Sequence, residues 1–168
     1  MRIRIDRKRL VDWASRAIAT PSFTGSEQAM AVLVAETFGE LGLHVQRQQV
    51  EEGRTNVLGI RAGAGGGPSL MFNGHIDTSY SGREPWLAHV PGFQPQPFVR
   101  DGRLYGLGIS NMKGALACYV EALEALADAG VTLKGDVMIA AVCGEIEKAQ
   151  QGDAQGAKDA FGAALDLD

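Results

Sequence analysis

Apolar residues recur at helical spacing in three segments of the chain. The pattern predicts helices over residues 6–20, 26–41 and 112–129. A proline follows the first segment and a glycine follows each of the other two, as is typical of helix ends. The third segment has the clearest apolar stripe and is predicted to lie against a core.

Shorter runs of alternating or continuous apolar residues predict four strands. These runs are HVQRQQV, TNVLGIRA, SLMFNGHID and GDVMIAAVCGE. Strands that alternate with helices predict an α/β three-layer sandwich, in which a largely parallel or mixed sheet is flanked by helices. Ligands bind beyond the carboxyl ends of strands in such sheets, so the residues that follow each run are the first candidates for chemistry.

Two segments have no clear periodic pattern. Residues 78–108 read as a long irregular loop, and four prolines lie between Pro85 and Pro97. Its length and aromatic content predict an ordered, functional loop. Residues 151–168 predict a short closing helix or a tail, with no preference between them. We therefore expect residues 1–150 to form the folded unit and residues 151–168 to be a weakly specified tail.

Composition and charge narrow the function classes. The chain has 168 residues, of which 45% are hydrophobic and 21% are charged, and this composition is typical of one soluble globular domain. The net charge of −4 does not indicate a positively charged surface of the kind that binds nucleic acid, so no nucleic-acid partner is predicted. The apolar runs are too short to cross a membrane, and no apolar segment of the secretory type follows the basic amino terminus. We expect a cytoplasmic protein without membrane contact.

The two cysteines, Cys118 and Cys143, each lie within an apolar segment. A free thiol in such a segment usually behaves as a small buried hydrophobic group. A disulfide between them is the less favoured alternative, because no export signal accompanies them.

Several polar residues follow the predicted strands. His75 and Asp77 come directly after SLMFNG, where histidine could bind a metal ion and the carboxylate could orient it. A satisfied strand-end histidine beside an ordinary turn aspartate is the simpler alternative. Glu145 follows the last predicted strand and is a candidate general base, with a surface carboxylate as its alternative. Glu147, two residues on, is a second acidic candidate.

The segment LYGLGISNMKGA has two further interpretations. Ser110 or Asn111 could cap a helix that begins at Met112, because both side chains accept bonds from free backbone amides. The glycines of GLG precede a helix as in a dinucleotide site, but the fingerprint requires glycine at the position of Asn111. Nucleotide binding is therefore the weakest of the alternatives.

Four sequence motifs occur in a specific order: NGHIDT, then PWLAHVPGFQPQPFVRDGRLYGLG, then ISNMKGALACYVEAL, then VMIAAVCGEIE. Asn111 also lies midway between Asp77 and Glu145 along the chain. In order, spacing and flanking residues, the chain resembles the amino-terminal part of the metal-dependent amidohydrolases and exopeptidases typified by acetylornithine deacetylase, succinyl-diaminopimelate desuccinylase and carboxypeptidase G2. The resemblance implies the fold of a zinc exopeptidase catalytic domain that is incomplete at its carboxyl end.

The resemblance also implies roles for individual residues. His75 corresponds to a metal ligand, Asp77 to the aspartate that orients it, and Glu145 to the general base. Asn111 stands where the family has a metal-bridging aspartate, and Ile146 stands where a second glutamate is usual. Glu147 could replace that missing ligand. The implied cofactor is zinc or cobalt, and a neutral amide in place of the bridging carboxylate argues against two bound ions.

The function implied by the resemblance is hydrolysis of the amide bond in an N-acyl amino acid or small peptide. The alternative is a noncatalytic, truncated or degenerate relative that keeps the fold without turnover. We expect the partners to be small acylated amino acids or peptides. Self-association would follow if the chain exposes part of its sheet.

Overall fold

The computed structural model describes residues 2–146, which contain three helices and six strands. In chain order they are α1 (Arg7–Ala19), α2 (Gln28–Glu40), β1 (His44–Glu51), β2 (Arg54–Arg61), β3 (Leu70–His75), β4 (Phe98–Arg100), β5 (Arg103–Tyr105), α3 (Gly114–Asp128) and β6 (Val137–Val142). Residues 147–168 lie outside this description, and so do the predicted tail and the candidate ligand Glu147.

Four of the strands form one mixed sheet in the order β1-β2-β6-β3. The pairs β1–β2 and β2–β6 are antiparallel, whereas β3 and β6 run parallel, with His75 beside Val142 at their carboxyl ends. The last strand within residues 2–146 therefore lies in the interior of the sheet. This arrangement confirms the predicted α/β class with a mixed sheet flanked by helices.

Alternation along the strands separates the apolar side chains into two clusters. One face of the sheet, with Val57 of β2 and Ile139 and Ala141 of β6, packs against all three helices. The opposite face carries a smaller cluster of Leu58, Ala140 and Val142, to which none of the helices described contributes. Most of the core therefore lies between the helices and one face of the sheet.

The first helix has a side-chain cap that follows directly from the sequence. The Asp6 carboxylate accepts hydrogen bonds from the backbone N–H groups of Lys8 and Arg9, at 2.9 and 3.2 Å. These are two of the donors that the first turn of a helix leaves unpaired. The helix ends at Ala19, before Pro21, as its sequence predicts.

The start of the third helix differs from its sequence prediction. The third helix begins at Gly114, not at Met112, because residues 109–113 form an irregular helical turn with non-helical backbone angles at Asn111 and Met112. Neither Ser110 nor Asn111 caps this helix, so that interpretation is wrong.

The long loop also contains structure that the sequence prediction missed. Strands β4 and β5 form a short hairpin within it. Asp101 and Gly102 make the turn, with φ of 52° and 71°. Left-handed angles at both turn residues are typical of an Asp-Gly hairpin, and this dipeptide is a strong local signal for one.

No helix within residues 2–146 combines the length and apolar character that a membrane crossing requires. Both cysteines are free: Cys118 is exposed and Cys143 is buried.

Candidate metal and catalytic site

The candidate site lies where the parallel strands β3 and β6 end side by side. His75 is the last residue of β3, and Glu145 follows β6 after a short turn. Because parallel strands present their carboxyl ends at the same edge, residues far apart in sequence meet there. The structure thus brings together His75, Asp77, Asn111 and Glu145.

The imidazole of His75 is buried and is contacted at both ring nitrogens. Nδ1 lies 3.0 Å from the backbone carbonyl of Asp77 and 3.4 Å from its carboxylate Oδ1. On the opposite side of the ring, Nε2 lies 2.9 Å from Oδ1 of Asn111 and 3.8 Å from Oε2 of Glu145. Acceptor oxygens therefore face Nε2, so this position favours a bound proton or a metal cation.

Asp77 is fully buried and links three segments of the chain. Its Oδ2 accepts hydrogen bonds from the hydroxyl of Thr24 and from the backbone N–H of Ile146, both at 3.1 Å. Its Oδ1 is turned toward His75. The carboxylate therefore lies beside the imidazole and at the same time holds the segment that carries Glu145.

The electrostatics of this pair favour a cationic ring and an ionised carboxylate. Burial lowers the pKa of His75, but the bonds with Asp77 and Asn111 and the negative charges of Asp77 and Glu145 outweigh it, and the net shift is upward. Burial raises the pKa of Asp77, but the bond and charge of His75, together with the bonds from Ile146 and Thr24, bring it below its usual value.

Asn111 is brought to His75 by the irregular turn of residues 109–113. The buried ammonium of Lys113 anchors this turn, because Nζ donates to the backbone carbonyls of Ala17 and Thr20 at 2.7 Å each. Burial lowers the pKa of Lys113 to about 8. The turn is thereby fixed to the end of α1.

The same turn also packs directly on strand β3. Met112 lies against Gly74, where a Cβ atom would collide with its terminal methyl group. The Met112 sulfur accepts a weak hydrogen bond from the backbone N–H of His75 at 3.2 Å. Glycine at position 74 therefore lets the turn approach close enough for Asn111 to reach the imidazole.

The donor atoms that could bind a divalent cation at this site are Nε2 of His75 and Oδ1 of Asn111. They lie 2.9 Å apart, closer than the roughly 3.4 Å between two ligands of a tetrahedral ion, so a bound ion would require a small outward movement of the side chains. Among residues 2–146, the His, Cys, Asp and Glu side chains alone form no group of three that could hold an ion. The fit therefore depends on the amide oxygen of Asn111, and no carboxylate stands at that position to bridge two ions.

Sequence reasoning missed several residues that support the site. Within the described part of the chain, these are Thr24, Glu27, Arg54, Asn56 and Lys113. Asn56 had a usable signal, since a polar residue inside an otherwise apolar strand needs a buried partner.

The fold is shared with solved peptidase structures. A tripeptidase from Staphylococcus aureus subsp. aureus Mu50 superposes with a TM-score of 0.71 and 23% sequence identity, over 85% of this chain and 38% of the tripeptidase. The chain thus has the α/β fold seen in this tripeptidase, with the candidate site at the strand ends.

Sequence comparisons identify the family. The chain belongs to peptidase family M20/M25/M40, whose family model matches residues 71–166. It is 35% identical over 129 residues to a succinyl-diaminopimelate desuccinylase from Alkalilimnicola ehrlichii, covering 77% of this chain and 33% of the relative. It is 32% identical over 114 residues to an N-formyl-4-amino-5-aminomethyl-2-methylpyrimidine deformylase from Bacillus subtilis, covering 67% of this chain and 26% of the relative.

The matches confirm the resemblance seen in the sequence. They also show that the chain spans about a quarter to a third of the length of these curated relatives. The matched region contains His75, Asp77, Asn111 and Glu145.

Proposed function

We propose that this chain carries part of the active site of a metal-dependent amidohydrolase, which hydrolyses the amide bond of an N-acyl amino acid or a small peptide. The observation that carries the proposal is the setting of His75. Its Nδ1 is held by Asp77, and its Nε2 faces Asn111 and Glu145. Family membership supports the same chemistry, because the named relatives are a desuccinylase and a deformylase.

In this proposal His75 and Asn111 are metal ligands, and Glu147, outside the described residues, supplies a further carboxylate. Zinc or cobalt, when bound, would supply Lewis-acid polarisation of the substrate carbonyl and acidify a water molecule. Asp77 keeps the imidazole oriented so that Nε2 stays available.

Glu145 is proposed as the general base. Its side chain is 27% exposed, so it is open to a water molecule and to a substrate entering from outside. Its carboxylate would accept the proton of the attacking water and then deliver a proton to the leaving amine. In this proposal residues 1–150, which include Asp77 and Glu145, form the amino-terminal part of a metallohydrolase catalytic domain.

A noncatalytic relative is the second candidate function, and two observations favour it. Asn111 contributes no charge to the site. Ile146 has a buried, apolar side chain where the family resemblance implies a glutamate ligand. Such a protein would bind a metal ion or a small acylated ligand without turnover.

The deciding experiment measures zinc binding and hydrolysis together. The 168-residue chain would be supplied with zinc or cobalt and assayed with N-acetyl and N-succinyl amino acids and with dipeptides. We expect Glu145→Gln to keep the metal and to lose at least about 100-fold in turnover, since general base catalysis contributes on this scale. Metal binding without hydrolysis would establish the noncatalytic alternative. Absence of metal binding would contradict the assignment of His75 and Asn111 as ligands.

The cytoplasm is the proposed compartment, and the two free thiols support it, because reduced cysteines are typical there.

A further inference from the structure

Four residues after β6 present Glu145: a bend at Cys143 and Gly144, and the first helical residues, Glu145 and Ile146. This segment, called the 143–146 turn below, is contacted by side chains from distant parts of the chain. The N–H of Ile146 donates to Asp77, as described above. The N–H of Cys143, at the other end of the turn, donates to the side chain of Asn56.

Asn56 is fully buried in β2 and uses both ends of its amide. Its Oδ1 accepts the backbone N–H of Cys143 at 2.9 Å and the Cys143 thiol at 3.3 Å. Its Nδ2 donates to the side chain of Gln48 in β1 at 3.1 Å. The amide is therefore fixed in one orientation, and the start of the turn is fixed with it.

A buried ion pair supports the middle of the turn. Glu27 is completely buried, and Arg54 binds it with two parallel hydrogen bonds, from Nε at 3.0 Å and from Nη2 at 2.8 Å. The guanidinium lies against Gly144, where a Cβ atom would come within 2.6 Å of Nη2. Gly144 has φ of 76°, a left-handed angle that glycine adopts without strain.

Stability alone is a weak explanation for this ion pair. Replacing a buried ion pair by apolar side chains of similar volume often leaves the stability of a protein unchanged or raises it. Fork-shaped pairing to a carboxylate does, however, fix the guanidinium in one plane. Glu27 thereby fixes the position of Nη2, the guanidinium atom nearest to Gly144, which directly precedes Glu145.

We propose that Arg54, held by Glu27, and Asn56 are positioning residues that fix the 143–146 turn and so set the distance between Glu145 and His75. The importance of that distance for hydrolysis depends on the proposed function. The positioning itself does not, because it concerns the order of the turn in the protein without metal.

The test compares Asn56→Leu and Arg54→Lys with Leu123→Ala. Leucine is similar in size to asparagine but accepts no hydrogen bond. Lysine keeps the positive charge of arginine but cannot form the two parallel hydrogen bonds to Glu27. Leu123 is equally buried, and its backbone carbonyl contacts Arg61 at the end of β2 farthest from the site, so its truncation reports general destabilisation.

Amide hydrogen exchange of residues 143–146 is the main readout. The variants are compared under conditions that give them the same free energy of unfolding. We expect the exchange rates of the Cys143 and Ile146 amides to rise at least about tenfold more in Asn56→Leu and Arg54→Lys than in Leu123→Ala. Asn56→Asp, which keeps an acceptor oxygen at the same place, should recover most of the protection. Equal rates in Asn56→Leu and Leu123→Ala would overturn the proposal.

Zinc affinity separates this proposal from the proposed function. We expect the zinc dissociation constant to rise about tenfold in Asn56→Leu, because the proposed ligand Glu147 directly follows Ile146 in the sequence, and to change by less than about twofold in Leu123→Ala. If the unaltered chain binds no zinc, the proposed function fails, while the exchange rates still decide the positioning role. If Asn56→Leu does not fold, Arg54→Lys, which keeps the positive charge beside Glu27, still tests the proposal, with the same expected increase in exchange.

Discussion

Asn111 faces His75 with a neutral amide, where an aspartate would add a negative charge. Its Oδ1 lies 2.9 Å from Nε2, but the amide contributes one carbonyl oxygen and no charge. We therefore expect Asn111→Asp to tighten zinc binding by about tenfold or more, since ligand charge strongly tunes metal affinity. Competition with a chromophoric chelator measures the effect.

Ser110→Asp is the matched control, because it adds the same charge at the neighbouring exposed position. We expect it to change zinc affinity by less than about threefold, as solvent screens exposed charges. Equal effects of the two substitutions would show that Asn111 is not a ligand.

The two thiols should differ sharply in reactivity. Cys118 is exposed, whereas Cys143 is buried and burial raises its pKa to about 11. Since the thiolate is the reactive form, a disulfide reagent at neutral pH should modify one thiol rapidly and the second only on unfolding. Cys118→Ser should remove the rapid phase, and a rapid phase that persists in this variant would contradict the burial of Cys143.

Residue-level prediction succeeded where the local sequence carries the information. His75, Asp77 and Glu145 could be placed at strand ends because each follows an apolar run. The contact of Asn56 with Cys143 and the contacts of Lys113 could not be deduced, because these partners lie 87 residues from Asn56 and 93 and 96 residues from Lys113. Such contacts depend on the sheet order, which the sequence pattern does not determine.

At the scale of elements, strand β3 depends on its close contact with the turn of residues 109–113. We expect Gly74→Ala to lower the free energy of unfolding by about 1 to 3 kcal/mol, because the added methyl group overpacks a filled site. It should also weaken zinc binding, since Met112 and the adjoining Asn111 would be pushed outward. Urea denaturation measures the first effect.

Gly39→Ala provides the opposite expectation in helix α2. No atom lies within 4 Å of a Cβ at this position, so alanine should raise the free energy of unfolding by up to about 1 kcal/mol through helix propensity. If both alanine variants changed stability in the same direction, the close packing of β3 on Met112 would be in doubt.

Helices and strands were mostly predictable, and the exceptions share a cause. The predicted start of α3 is too early because Met112 fits the helical pattern in the sequence, whereas its side chain packs against β3. The β4–β5 hairpin was missed because each strand is only three residues long, too short for alternation to show. Long-range packing decided the first case and turn chemistry the second.

For the whole molecule, metal binding should be coupled to folding. The site is assembled from β3, the 109–113 turn and the 143–146 turn, so the unfolded chain does not contain it. With zinc at about 100 times its dissociation constant, we expect the free energy of unfolding to rise by about 2.7 kcal/mol. Denaturation with and without zinc measures the difference.

Two histidine substitutions test where this stabilisation arises. His75→Asn should abolish it, whereas His89→Asn, in an exposed part of the loop, should leave it unchanged. Stabilisation that survives in His75→Asn would place the bound zinc elsewhere on the protein.

The interior position of β6 has a consequence for synthesis. While the ribosome is still adding residues before Val137, β2 and β3 have no strand between them, and each presents unpaired backbone groups on the side that β6 later occupies. The sheet can close only when residues 137–142 have emerged, and His75 and Glu145 come together in the same event. A nascent chain that stalls before that point is expected to be a target for chaperones, since open strand edges are prone to aggregation.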